Sequence, residues 1–269
     1  MSVITTEIKF SNYKRAFYFG CSFTKYYWPT WADLISLEVP CSYQYGQVGA
    51  GNFYIYQSII EAVLKHNIQK DDLVMVMFSN VTREDRYTKS EGWITPGNLF
   101  YQDTYDEKFM KKFFCEKGYL MRDLNLIEGV DRVLSTTGAD YSLMTMINFD
   151  SYNSGQEKMS GVEDVLEFYE PTLNKIKPSV FEVIFNNDWN TRKERPKYHT
   201  HWAKDLYTDN HPTTKEHLEY MLKMFPDTKF SNFTLQKSEL WTDMTLASNT
   251  YVEIKDIFSN IVKSQEQRL

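Results

Sequence analysis

The stretch "DDLVMVMF" (Asp71–Phe78) constrains the fold more than any other part of the chain. An unbroken apolar run, introduced by two acids and too short for an ordinary helix, reads as a buried strand. Similar readings apply to Arg15–Phe19, to the alternating Cys41–Tyr45, to "YSLMTMINF" (Tyr141–Phe149) and to "SVFEVIF" (Ser179–Phe185). Helical patterns separate them. Trp31, Leu34 and Ile35 recur at i, i+3 and i+4 within Pro29–Leu37, and Ile55, Ile59, Ala62 and Val63 share one face of Asn52–His66. Further helices are expected over 106–117, 119–136, 162–176 (with Pro171 kinking it or in its last turns) and 217–225, starting near Thr214. Strands alternating with helices predict an α/β fold, a three-layer α/β/α sandwich around a mostly parallel sheet. Residues 1–225 are expected to form that domain. The weaker periodicity of 226–269 is read as a C-terminal appendage packed on it.

Composition excludes some partners. The net charge is −6 over 269 residues, so nothing supports nucleic-acid binding. No apolar run approaches the ~20 residues of a membrane span. The start "MSVITTEIKF" lacks a signal peptide's basic-then-apolar layout, so a cytoplasmic or otherwise soluble protein is expected. Cys21, Cys41 and Cys115 have no metal-type spacing and suggest a reducing compartment, with a Cys21–Cys41 bridge left open.

In an open α/β sheet, ligands bind beyond the carboxyl ends of the strands. Ser22, in "FGCS", falls at such an end, as do Gly51, Asn80 and the loop before the last helix. That loop reads "YTDNHPTTKEH". Thr213 and Glu216 have capping-box spacing, so His211 stands just before a helix N-terminus, behind Pro212. Asp209 could orient one imidazole nitrogen while the other takes a proton from Ser22.

The ordered set resembles the SGNH/GDSL hydrolases, a family of flavodoxin-like architecture. Gly20-Cys21-Ser22 stands where that family has its nucleophile turn. Gly51, or alternatively Gly49, stands at its glycine turn, Asn80 at the end of its third block, and Asp209-Asn210-His211-Pro212 at its last block. The resemblance covers residues 16–225. It implies a serine esterase with an acyl-enzyme intermediate and no cofactor or metal. Its catalytic residues would be Ser22, Asp209 and His211. Its oxyanion donors would be the Ser22 and Gly51 N–H groups and the Asn80 amide. An O-acetyl ester on a carbohydrate is the expected substrate. The chain departs from the family's pattern in three places: Cys21 replaces an Asp, Phe78 a Gly near the oxyanion site, and the Asp–His spacing is one residue short, with Asp205 as fallback acid.

Arg83, Asp85 and Arg86, just after Asn80, could line the cleft, with Arg83 a candidate substrate contact, but a solvated loop is the first reading. Trp189 and Trp202 either stack on substrate or anchor their loop. Cys21 is a competing nucleophile, read first as a small buried residue. His199 and His201 form a His-x-His pair that, if extended, would suit a metal-dependent hydrolase. A catalytically decayed interaction or assembly protein on the same fold is the competing non-enzymatic reading.

Overall fold

Four of the five segments read as strands pair in the computed structural model, which describes residues 3–100, 105–151, 157–192, 194–200 and 205–261. In chain order the elements begin with β1 (Arg15–Gly20), α1 (Trp31–Ser36), β2 (Cys41–Gln44), α2 (Asn52–His66) and β3 (Asp72–Phe78). A hairpin of β4 (Arg86–Thr88) and β5 (Gly92–Ile94) follows, then α3 (Glu107–Phe113), α4 (Glu116–Thr137) and β6 (Asp140–Thr145). The remainder comprises α5 (Glu163–Phe168), α6 (Glu170–Leu173), α7 (Val180–Phe185), β7 (Lys197–Tyr198), β8 (Tyr207–Thr208), α8 (Thr214–Met224), α9 (Asn232–Ala247) and α10 (Tyr251–Phe258).

The main sheet has the order β2-β1-β3-β6, with every pair parallel. Parallel strands need crossovers, and crossovers are right-handed. The step from β1 to β2 runs one way across the sheet, whereas β2 to β3 and β3 to β6 run the other way. Right-handedness therefore sends α1 to one face and α2 and α4 to the opposite one. Packing agrees: α2 lies against α4, and α1 against α8. The fold is thus mixed α/β, compatible with a sandwich about a parallel sheet. The reversal of direction opens a crevice beside the end of β1, where Ser22 stands.

The core is apolar on both sheet faces. All seven residues of β3 are buried, and Phe19 stacks on Tyr45 and Phe17 on Tyr43. Trp241, Ile254 and Phe258, from beyond residue 225, belong to the same buried cluster, and α9 packs on α8.

Two expectations are corrected. Ser179–Phe185 is a helix, α7, rather than a fifth strand. The Ser179 hydroxyl accepts from the Glu182 N–H as an N-cap, and Asn186 ends the helix in the left-handed region (φ 49°). A six-residue apolar segment has no decisive period, so the cap decides. The solvated loop expected at Arg83, Asp85 and Arg86 is the second. Arg83 and Asp85 are buried, and only Arg86 is exposed. Two edges move as well: β6 stops at Thr145, where Met146 N–H turns back to Phe78 O (2.9 Å), and Pro171 falls at the start of α6, dividing the expected 162–176 helix in two.

Candidate active site

Ser22 stands two residues after Gly20, the last residue of β1, and is buried. A Cβ at Gly20 would lie 2.0 Å from Thr24 Oγ1 and 2.8 Å from Met77 O, so the tight exit from the sheet requires glycine. The Ser22 hydroxyl lies 2.8 Å from His211 Nε2. His211 Nδ1 lies 2.7 Å from Asp209 Oδ1, and the same oxygen accepts the His211 backbone N–H at 2.7 Å. One carboxylate oxygen thus holds both ring and backbone, which the two-residue separation permits. Asp205 is exposed.

Four residues missing from the sequence reading, Tyr26, Tyr198, Arg192 and Trp28, hold this arm rigid. The Tyr26 and Tyr198 hydroxyls both donate to Asp209 Oδ2, at 2.6 and 2.5 Å. The Tyr26 ring also stacks on His211, with centroids 3.8 Å apart. Arg192, paired with Glu216 at 2.6 Å, donates to the carbonyls of Asn210 and His211. Trp28 Nε1 bonds Pro212 O at 2.8 Å, and the Thr213/Glu216 capping box starts α8 directly behind.

The electrostatics follow. Burial alone would raise the Asp209 carboxyl, but the His211 charge and hydrogen bond, with the two phenols, bring it down to about 2. Burial and the Asp209 charge push both phenols upward, so they remain donors. His217, one turn into α8, is fully buried; burial, then the charges of His211 and Arg192, lower it to about 3. It is a neutral packing residue under Phe23.

The residues expected to bind an oxyanion are placed differently. Gly51 N–H donates to Asp85 Oδ1 (2.8 Å), and Tyr54 N–H to Asp85 Oδ2 (2.9 Å). Asp85 thereby caps α2, whose own N-cap residue is Gly51, with no side chain to do so. A Cβ on Gly51 would fall 2.7 Å from Asp85 Oδ2, so its glycine serves this cap. Burial raises Asp85 to about 6, against the two backbone N–H bonds and the charges of Arg83 and Arg122. The Asn80 amide donates to Ser151 O (3.2 Å), and its Oδ1 accepts from Thr82 N–H (2.8 Å) and the Thr82 hydroxyl. Phe78 is buried near Phe149, away from the cleft.

A cleft of about 580 Å³ opens at Ser22 and His211. Its walls come from Tyr26 and Tyr27, Val48 and Gly49, the loop 95–98, and Tyr198 and Tyr207, with Arg83 among them. Gly49 has φ +79°, and a Cβ there would meet Thr95 O at 2.1 Å. Only glycine lets the 95–98 loop close on this turn, where Gln47 Nε2 also bonds Thr95 Oγ1 (2.9 Å). Among the described residues, no hydrogen bond engages the N–H of Ser22 or of Gly49.

The other candidates separate clearly. Cys21 is fully buried, with Sγ against Met146 Sδ (3.5 Å); Cys21, Cys41 and Cys115 are all free thiols. Trp189 packs on Phe181 and Phe185, with centroids at 4.5 and 4.9 Å, and anchors its loop instead of lining the cleft. His199 uses its backbone N–H to bond Asn249 O (2.9 Å). Trp202 and His201 lie outside the described residues. Among those described, no three His, Cys, Asp or Glu side chains cluster as a metal site, and no helix is long and apolar enough to cross a membrane.

Compared with known proteins, the chain matches no family model, no curated protein and no solved structure.

Proposed function

We propose that the chain is a serine ester hydrolase of SGNH/GDSL type. The observation that carries this reading is the continuous relay Ser22 Oγ–His211 Nε2–His211 Nδ1–Asp209, with links of 2.8 and 2.7 Å, opening on a cleft at the carboxyl end of the sheet. His211 takes the Ser22 proton as Oγ attacks the ester carbonyl. The tetrahedral oxyanion collapses, and His211 returns the proton to the departing alcohol. Water, deprotonated in turn by His211, releases the acid and restores Ser22. Asp209 stays ionised and stabilises the imidazolium. The Ser22 and Gly49 N–H groups are the main-chain donors available to the oxyanion, in place of Gly51 and Asn80. Four tyrosines around the cleft suit a small polar ester, and an O-acetylated carbohydrate is the substrate class we infer.

One observation favours the competing non-enzymatic reading: two of the three expected oxyanion donors are engaged elsewhere. Turnover separates the two. We expect hydrolysis of p-nitrophenyl acetate and of acetylated sugars, abolished in Ser22→Ala with an unchanged melting temperature. Equal rates in Ser22→Ala would overturn the assignment.

A further inference from the structure

Arg83 is a buried cation in the wall of the cleft that holds Ser22 and His211. Its Nη1 donates to Ala50 O at 2.8 Å, and Ala50 lies between the glycines of the turn after β2. Its Nη2 lies 3.7 Å from Met146 Sδ, the sulfur that also receives the Cys21 thiol, next to Ser22. The guanidinium therefore sits between the turn that carries the nucleophile and the turn that carries Gly49. Its Nε is buried with no acceptor, and among the described residues no carboxylate lies within ion-pair distance of it. Arg122, its neighbour in the same region, differs: it is paired with Glu84 and Asp123 at 2.6 and 2.7 Å.

A desolvated guanidinium with its Nε–H unmatched, and with no carboxylate at ion-pair distance among the described residues, is costly to fold around. A neutral ester would compensate it little. The tetrahedral intermediate places a full negative charge on the former carbonyl oxygen, beside Ser22. An interaction that strengthens only as that charge develops lowers the barrier, whereas one present in the ground state does not.

Resting on the hydrolase reading above, we propose that Arg83 is a catalytic residue that donates to the oxyanion, supplying with the Ser22 and Gly49 N–H groups what Asn80 and Gly51 do not. The carbonyl π electrons move to oxygen as the Ser22 Oγ–carbon bond forms. The guanidinium N–H holds that charge without transferring its proton, and the electrons return as the alcohol leaves.

The test compares full-length wild type, Arg83→Gln and Arg83→Lys on p-nitrophenyl acetate and on the p-nitrophenyl monoester of glutaric acid. The variants' melting temperatures are measured alongside, and Arg83→Lys keeps charge and bulk should Arg83→Gln fail to fold. Loss of one oxyanion donor predicts that kcat falls ~10²–10³-fold in Arg83→Gln on both esters, with KM little changed. Arg83→Lys should recover part of it. An unchanged kcat, or a rise in KM confined to the glutarate ester, would overturn the proposal, the latter by making Arg83 an anchor for a substrate carboxylate. Wild-type protein that neither turns over an ester nor takes a fluorophosphonate at Ser22 would instead overturn the hydrolase reading, and this inference with it.

Discussion

The two halves of the site are built in opposite ways. On the His211 side, Asp209 is fully buried yet ionised, because His211, Tyr26 and Tyr198 all direct hydrogens at it. On the side of the Gly49–Gly51 turn, Asp85 is nearly as buried but has only two backbone N–H donors, so burial raises it to about 6. One carboxylate serves the relay; the other serves the fold, by capping α2. A carboxylate's surroundings, more than its distance from the nucleophile, decide which of these it does.

The sharpest way to break the comparison is Asp209→Asn. It removes the charge and favours the wrong imidazole tautomer, a loss that can reach ~10⁴ in kcat. Asp205→Asn, at an exposed position, should leave kcat near wild type. A severe Asp205→Asn defect with a near-normal Asp209→Asn would move the acid. A second test uses pH. Asp209, with a folded value below its unfolded one of about 3.9, contributes stability above about pH 4 that is lost as pH falls toward 2. Asp85, raised to about 6, contributes stability below about pH 4 that is lost as pH rises through 6. Each amounts to about 2–3 kcal/mol. Chemical denaturation across pH 2–8 should show Asp209→Asn flattening the acid limb and Asp85→Asn the slope between 4 and 6. The reverse assignment would refute the contrast. The smallest effect is expected on chemistry from Asn80→Ala. It should cost about 1–3 kcal/mol of stability, because it strands Ser151 O and Thr82 N–H. Its kcat should nevertheless escape the ~10²–10³ penalty of a lost oxyanion donor. A kcat loss on that scale without destabilisation would return Asn80 to the oxyanion.

What could be read from the sequence followed the range of the interactions. The relay side was legible because capping is local: Thr213 and Glu216 announce α8, and so fix where Pro212, His211 and Asp209 lie. Three of the four sheet strands were legible as apolar runs, and β2 as an alternating stretch. The Ser179–Glu182 cap carried the same kind of local signal, and the apolar content of "VFEVIF" masked it. The braces could not be read. Tyr26 and Tyr198 reach Asp209 across 183 and 11 positions, and Asp85 reaches Gly51 across 34. Tyrosines are so frequent in this chain that none stands out, and nothing near Asp85 in sequence says that a distant helix lacks its own cap. Arg83 read as solvated because polar loops usually are; only the packing of β3's exit against the two turns buries it.

The central claim is that Ser22 is the nucleophile activated by His211, and covalent labelling tests it most directly. Wild-type protein treated with a fluorophosphonate, digested and mapped by mass spectrometry should carry one adduct, on Ser22, and His211→Ala should slow its formation sharply. An adduct on Cys21, or none on either residue in folded protein, would contradict the account.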